Sequence, residues 1–350
     1  GYVKQLNITD FVHKDLVNFS LADLKRSIAH VADGLKPSQR KVMYSCFQKN
    51  LKDEMKVAQL AAFVAEKSSY HHGEVSLADT IVKLANDYMG SNNINLLEPC
   101  GQFGTRLMGG KDASQTRYIF TKLTKQARKI FDPRDDAILN YLDDDGRSIE
   151  PDFYMPTIPM VLVNGTEGIG TGFSCYVPPF NPRDIKDNIG RILDGKQVVP
   201  MRPWFKGFKG KVHKEDDTWM MEGVWNWKGL NIVVTELAPG RWTQDYKEYL
   251  EGLVEKKLIG GFTNNSTTED VHFEIEDYTG KDLLKDLKLR KTFRVSNMHL
   301  FHPTRGIHKY SSPEEILKDF VELREDHYVK RKAHLIKVLE TRATMCGYKS

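Results

Sequence analysis

Residues 35–51, LKPSQRKVMYSCFQKNL, set the reading of the chain. Pro37 suits the first turn of a helix, where its missing N–H is not needed, and Val42, Met43, Cys46 and Phe47 recur at helical spacing. The segment reads as one amphipathic helix with Arg40 and Lys41 near its start. Downstream, residues 55–67 (MKVAQLAAFVAEK) place Val57, Leu60, Ala61 and Val64 on one face of a second helix. After the polar break SSYHHGE, Ser76 and Asp79 have the spacing of a capping box ahead of Leu77, Ile81, Leu84, Ala85 and Tyr88, which predicts a third. Three short helices in a row suggest a helix-turn-helix unit.

Residues 90–110, GSNNINLLEPCGQFGTRLMGG, are dense in Gly, Asn and Pro around short apolar runs, as strands joined by turns would be. Helix-turn-helix followed by a hairpin is the order of a winged helix. Helical period returns from Lys122 through Leu123, Ala127, Ile130 and Phe131 and breaks at Asp132-Pro133. Tyr118 is therefore expected on a strand or turn of the wing, just before a helix. Residues 153–182 carry an apolar run between prolines and then a glycine-rich stretch, and strand-like segments such as LNIVVTEL follow. Pro313, Glu314 and Glu315 open a long charged helix with Ile316, Phe320, Leu323, Leu335 and Leu339 as its apolar positions. The expected class is multidomain α+β: a winged-helix domain over 1–155, a mixed α/β domain over 156–312, and a long helix over 313–350 that is cut off at Ser350.

With 350 residues, 40% hydrophobic and 28% charged, the composition is that of a soluble globular protein, and no apolar run reaches the roughly 18 residues that span a bilayer. No membrane partner is expected. The opening GYVKQLNITDFVHKDL lacks the basic start and apolar core of a secretory signal and reads as a cut from a longer chain. The four cysteines, at 46, 100, 175 and 346, show no CxxC spacing, which argues for a reducing compartment and against a zinc ribbon or disulfide framework. A net charge of +4 requires that any polyanion be held by a local cluster. Lysines and arginines concentrate in residues 25–41 and around Arg106, Lys111, Arg117 and Lys122, as phosphate contacts from a helix-turn-helix and its wing require, although solvated helix faces have the same composition.

Tyr118 is one of 14 tyrosines, most of which need be no more than packing. A phenol titrates near pKa 10, so it attacks well at neutral pH only beside a cation or base, and Arg117 offers a permanent charge. Adjacent histidines such as His71 and His72 point in different directions on a helix and lack a third ligand at a familiar spacing, so they suit phosphate better than metal. Asp143, Asp144 and Asp145 contain a formal DxD, but DDDGRS between apolar stretches reads first as a hairpin turn. The glycines of GTEGIGTG, residues 165–172, have neither the P-loop lysine nor dinucleotide-loop spacing, and suggest a tight loop presenting Ile169.

Six motifs in order, ADGLKPSQRKVMY, KVAQLAAFVAEKSSYHHGEVSLADTI, GSNNINLL, GQFGTR, GGKDASQTRY and PMVLVNGTEGIGTGFSCYVPPFNP, make the chain from about Ile8 to the last helix resemble the DNA breakage-reunion core of eukaryotic-type DNA topoisomerase II, cellular or from a large DNA virus. The bacterial gyrase counterpart shares the outline; SNNINLL and VNGTEGIGTGFS favour the eukaryotic type. The resemblance implies that Tyr118 forms a phosphotyrosine bond with DNA, that Arg117 stabilises charge on the scissile phosphate, and that His72 helps hold that phosphate. It implies DNA contacts at Arg26, Lys36, Arg40, Lys41, His71 and Ser76, and intercalation by Ile169 that bends the duplex. The middle domain would be the tower, and the last helix the start of a coiled coil to the exit gate.

The implied partners are double-stranded DNA, as gate and transported segments, and a second copy of the chain. Mg2+ would be held by carboxylates outside this fragment and ATP by a separate N-terminal domain, with no metal ligand in these residues. The implied location is the nucleus, or for a viral version the virus factory or virion. One departure is the absence of EGDSA and its later DxD, so the fragment alone is expected to bind DNA and cleave it poorly. Another is ASQTRY, where many relatives carry alanines before RY. Two other readings stay open: a non-catalytic winged-helix DNA-binding module, and a gyrase-type subunit whose metal domain sits on another chain.

Overall fold

This computed structural model of the chain describes residues 7–170 and 173–348. The three expected helices form at Pro37–Lys49, Val57–Lys67 and Glu74–Ala85. The first starts where Pro37 needs no hydrogen bond, with the Lys36 N–H donating to Gln39 Oε1 at 2.8 Å, and stops where Asn50 turns left-handed at φ 50°. Val42, Met43 and Cys46 bury its inner face, and Val57, Leu60, Ala61 and Val64 bury that of the second, as their spacing required. The third begins two residues before Ser76. Gly73, at φ +98°, is its N-cap, so Ser76 does not cap the helix but lies inside its first turn. Tyr88 lies beyond its end.

The wing departs further from expectation. Residues 90–110 hold no regular strand, and only isolated bridges join Leu97 to Leu123 and Cys100 to Phe120. The paired edge is instead Met55–Lys56 against Phe120–Thr121. Glycines at 101, 104, 109 and 110 all take positive φ, which breaks strand geometry, and Asp112 ties the loop by accepting from the Thr105 N–H and hydroxyl at 2.9 and 2.6 Å. The helix expected from Lys122 shrinks to Ala127–Ile130, because Leu123 donates its N–H to Leu51 O and joins the bridged edge. Tyr118 accordingly occupies a turn before a strand rather than before a helix. The break at Asp132-Pro133 stands: Asp132 Oδ1 accepts from the Arg134 N–H and a 3-10 turn runs over Pro133–Ile138.

DDDGRS is a hairpin turn joining Tyr141–Asp144 to Arg147–Pro151, with Asp145 at φ 49° and Gly146 at φ 82°. The glycine-rich stretch is not a loop but a second hairpin, Thr166–Gly170 against Phe173–Val177, in which Ile169 pairs with Ser174. Thr171 and Gly172 of that motif lie outside the described residues. Gly168 is needed there, since a Cβ would stand 2.0 Å from the Ser27 carbonyl oxygen.

Among the described residues two main hydrophobic cores stand beside a small cluster of Phe205, Met221 and Ala238. The larger runs from Leu24 to Met201 and resumes from Met298 to Val321; the second spans Ile232–Leu289. Residues 160–201 and 298–310 supply side chains to the larger unit. Val161, Leu162 and Val163 are fully buried in its core, and Phe301 exchanges backbone hydrogen bonds with Ala29 and Val31. The second unit is mixed α/β: an antiparallel sheet in the order 261–264, 273–276, 231–236, 224–228 carries the helix Thr243–Glu255 through Tyr246, Leu250 and Leu253. A three-stranded sheet in the order 290–293, 218–222, 211–215 lies beside it in sequence.

The long helix runs over Pro313–Gly347, capped by Ser312 Oγ. One face of its first half is buried, and Arg324 grips Asp135 with two bonds of 2.9 and 3.0 Å. Leu335 and Leu339 in the second half are exposed. Among the described residues no helix is long and apolar enough to cross a membrane.

Candidate nucleic-acid interface

The turn SSYHHG, entered through Ser69 at φ 52°, faces the ends of two helices. Together they enclose a cleft of about 440 Å³ lined by Arg26, Ser38, Lys41, His71, His72 and Ser76, so five of the ten residues singled out in the sequence meet in one place. Tyr70, which the sequence reading passed over, lines it as well. Its ring meets that of His72 edge-on, with centroids 5.4 Å apart at 71°, and its hydroxyl donates to Ser76 Oγ at 3.2 Å. The available signal was position: Tyr70 stands two residues before His72 in the same polar turn.

The basic residues divide by burial. Among the described residues Arg26 is half-exposed, with an Asp23 carboxylate 3.9 Å away, and its guanidinium is open to a phosphate. His71 is exposed 4.0 Å from Asp144 of the DDDGRS hairpin. Lys41 reaches the cleft but is held by Glu150 at 2.7 Å and by the Ser68 carbonyl at 2.6 Å. Lys36 donates to the Glu167 carbonyl at 2.5 Å, and burial pulls its pKa below the ordinary lysine value. It thereby fastens the Ile169 hairpin. Arg40, expected as a DNA contact, is buried and bonded to Asp33.

Arg117 and Tyr118 sit in an exposed turn, and neither lines the cleft around His72. The turn is pinned on both sides: the Ala58 and Val57 N–H groups donate to Thr116 O and Ile119 O, and the Tyr118 N–H donates to Gln115 O at 2.9 Å. Ile119 is buried at 1% exposure while Tyr118 is 64% exposed, so the fold anchors one side chain and presents its neighbour. Arg117 Cζ lies 4.9 Å from the centre of the Tyr118 ring. Ile169, at 79% exposure, projects from a hairpin fixed by Lys36 and by the close approach of Gly168 to Ser27.

Chemically, the cleft offers a cation, imidazoles and a hydroxyl to phosphate oxygens, and the turn offers a phenol to an electrophile. Among the described residues no group of three or more His, Cys, Asp or Glu is placed to hold a metal ion.

A family model that describes the A-type subunit of DNA gyrase/topoisomerase IV matches residues 26–349. The DNA topoisomerase 2 of Plasmodium falciparum is 47% identical over 350 residues, covering 96% of this chain and 25% of that protein. The Saccharomyces cerevisiae protein of the same name is 45% identical over 353 residues, covering 97% and 25%. A crystal structure of the Plasmodium falciparum topoisomerase II DNA-binding, cleavage and re-ligation domain superposes with a TM-score of 0.92 at 47% identity, over 97% of this chain and 48% of that one. The chain thus spans about a quarter of the length of the curated relatives it matches.

Proposed function

The chain belongs to the DNA gyrase/topoisomerase IV family, in the part that corresponds to the A-type subunit, and from that premise we propose that it is the DNA-binding and cleaving part of a eukaryotic-type, type IIA DNA topoisomerase. The observation that carries the reading is Tyr118: a large aromatic presented to solvent, on a turn fixed by the buried Ile119, with Arg117 against its ring.

In the proposed reaction the Tyr118 phenol oxygen attacks a backbone phosphorus and displaces a deoxyribose oxygen, which takes up the proton the phenol gives up. Arg117 meets the charge on the phosphate, and Arg26, His72 and Ser76 hold the strand in the cleft. The phosphotyrosine bond keeps the phosphodiester energy, so reversal reseals the strand without a ligase. Two copies of the chain, each with one Tyr118, make staggered cuts in a gate duplex so that a second duplex can pass, which relaxes supercoils and separates linked DNA. Ile169 enters between base pairs and bends the gate segment; the unstacking it causes costs about a few kcal/mol and is offset by added contacts.

Mg2+ and ATP belong on this reading to parts of the enzyme outside these residues, and no step above is routed through them. The enzyme would work in the nucleus, or in a virus factory or virion for a viral version. The test is to trap the full-length enzyme on labelled DNA, digest the protein and sequence the DNA-linked peptide. The expected peptide carries the label at Tyr118; a label on another residue contradicts the assignment.

A further inference from the structure

We infer that the cavity beside His30 is a binding site for a small, neutral, largely apolar molecule carrying a hydrogen-bond acceptor such as a carbonyl oxygen. The cavity measures about 340 Å³, a size that suits a small ligand, and Ile28, Leu35, Leu142, Phe153 and Phe301 give it apolar walls. His30 lies among these walls, and Lys25, Arg40, Glu150, Asp152 and His302 line the cavity as well.

That side chain is only 8% exposed and is fixed on two sides. Its ring stacks on Phe153 with centroids 4.3 Å apart at 13°, and Phe153 in turn meets His327 edge-on. Nδ1 accepts the Ala32 N–H at 3.0 Å, which puts the imidazole proton on Nε2. Nε2 has no protein partner among the described residues. Burial, the largest influence, holds the group down at about 3, so the ring is neutral and donates from Nε2 alone. A donor without a protein partner, facing a cavity with an apolar side, is open to an incoming acceptor.

The charges around the cavity are largely spoken for, which selects a neutral ligand. Arg40 is bonded to Asp33 and Glu150 to Lys41; Asp152 accepts the Phe153 N–H at 2.8 Å. His302 lies 3.9 Å from Asp319. Glu150 and Asp152 would repel an anion, while Arg40 and Lys25 would oppose a cation. Occupancy has a path to the neighbouring cleft, because Pro37 lines both spaces and Glu150 holds Lys41.

The test uses the full-length enzyme with 4-fluoroacetanilide as probe, read by broadening of its fluorine resonance, and 1-fluoro-4-propylbenzene as a probe of similar shape without the acceptor. The amide should bind about tenfold more tightly than the hydrocarbon. His30→Phe should erase that difference, and Leu142→Trp, which fills the cavity from another wall, should abolish binding of both. Equal affinity for the two probes, an amide preference that survives in His30→Phe, or no broadening at millimolar concentration overturns the inference. None of these readouts depends on DNA cleavage, so they fail or hold separately from the proposed function.

Discussion

Arg40 closes on Asp33 through two parallel hydrogen bonds, Nε to Oδ2 at 2.7 Å and Nη2 to Oδ1 at 3.0 Å, with both side chains sealed from water. Asp33 also accepts the Leu35 and Tyr154 N–H groups, and Arg40 also donates to Leu35 O. The pair ties the start of the helix Pro37–Lys49 to the segment after the DDDGRS hairpin. On the proposed function it would support the DNA surface from within.

Arg40→Ala is therefore expected to lower stability by about 3–5 kcal/mol, since it leaves a buried carboxylate without its partner. The salt dependence of DNA binding by the remaining folded protein should not change. Arg26→Ala should do the opposite, leaving denaturant unfolding nearly unaltered and lowering the salt slope by about one. The two mutants compared by urea unfolding and by binding across a salt series decide the matter. A reduced slope in folded Arg40→Ala protein would return that residue to the interface.

Tyr70 is predicted to act by holding His72 and Ser76 in place. An aromatic edge contact contributes about 0.5–1.5 kcal/mol, so Tyr70→Leu should slow cleavage by up to about tenfold with DNA affinity little changed. Tyr70→Phe keeps the ring and should lose less. Combined with His72→Ala, Tyr70→Leu should add almost nothing further. Additive losses in the double mutant would show that Tyr70 does not work through His72.

Acid should destabilise the fold through His30. Its pKa is held at about 3 in the folded state against 6.5 for the free group, so the fold favours the neutral form. The contribution is fully present above pH 6.5 and is lost as pH falls, because the unfolded chain binds the proton first. At pH 5 the difference is about 1.5 pH units, or about 2 kcal/mol. His302 and His327, lowered by burial as well, add to the slope in the same direction. His30→Phe should flatten the fall in unfolding free energy between pH 7 and pH 5; an unaltered slope would contradict the buried neutral assignment.

These cases show what the sequence could and could not reveal. Helices were legible where Val57, Leu60, Ala61 and Val64 repeated at one period, because burial of a single face enforces that repeat. The turn at Asp145-Gly146 was legible because few residues accept positive φ. Long-range pairing was not legible. Leu123 fits a helical pattern yet joins a bridge to Leu97, and GTEGIG looks like a loop until Gly168 is seen against Ser27. The burial of Arg40 against Asp33 was not legible either, because nothing local distinguishes an exposed arginine from one facing a carboxylate. At the candidate site, the polar turn and the RY pair were visible as residue types, whereas the support given by Tyr70, Glu150 and Ile119 depends on which chain segments meet.

Ile169→Ala should leave stability within about 0.5 kcal/mol, because the side chain stands in solvent. The bend of a bound duplex should decrease, measured by energy transfer between dyes at its two ends. A bend equal to that of the parent enzyme would remove Ile169 from the wedge role.

Tyr118 is the centre of the account, and covalent capture tests it most directly. Full-length enzyme and its Tyr118→Phe variant are incubated with end-labelled DNA and Mg2+, stopped with detergent and run on a denaturing gel. The account predicts a protein-linked DNA band for the parent and none for Tyr118→Phe, although the variant binds DNA as tightly. A protein-linked band of equal intensity from Tyr118→Phe would contradict it.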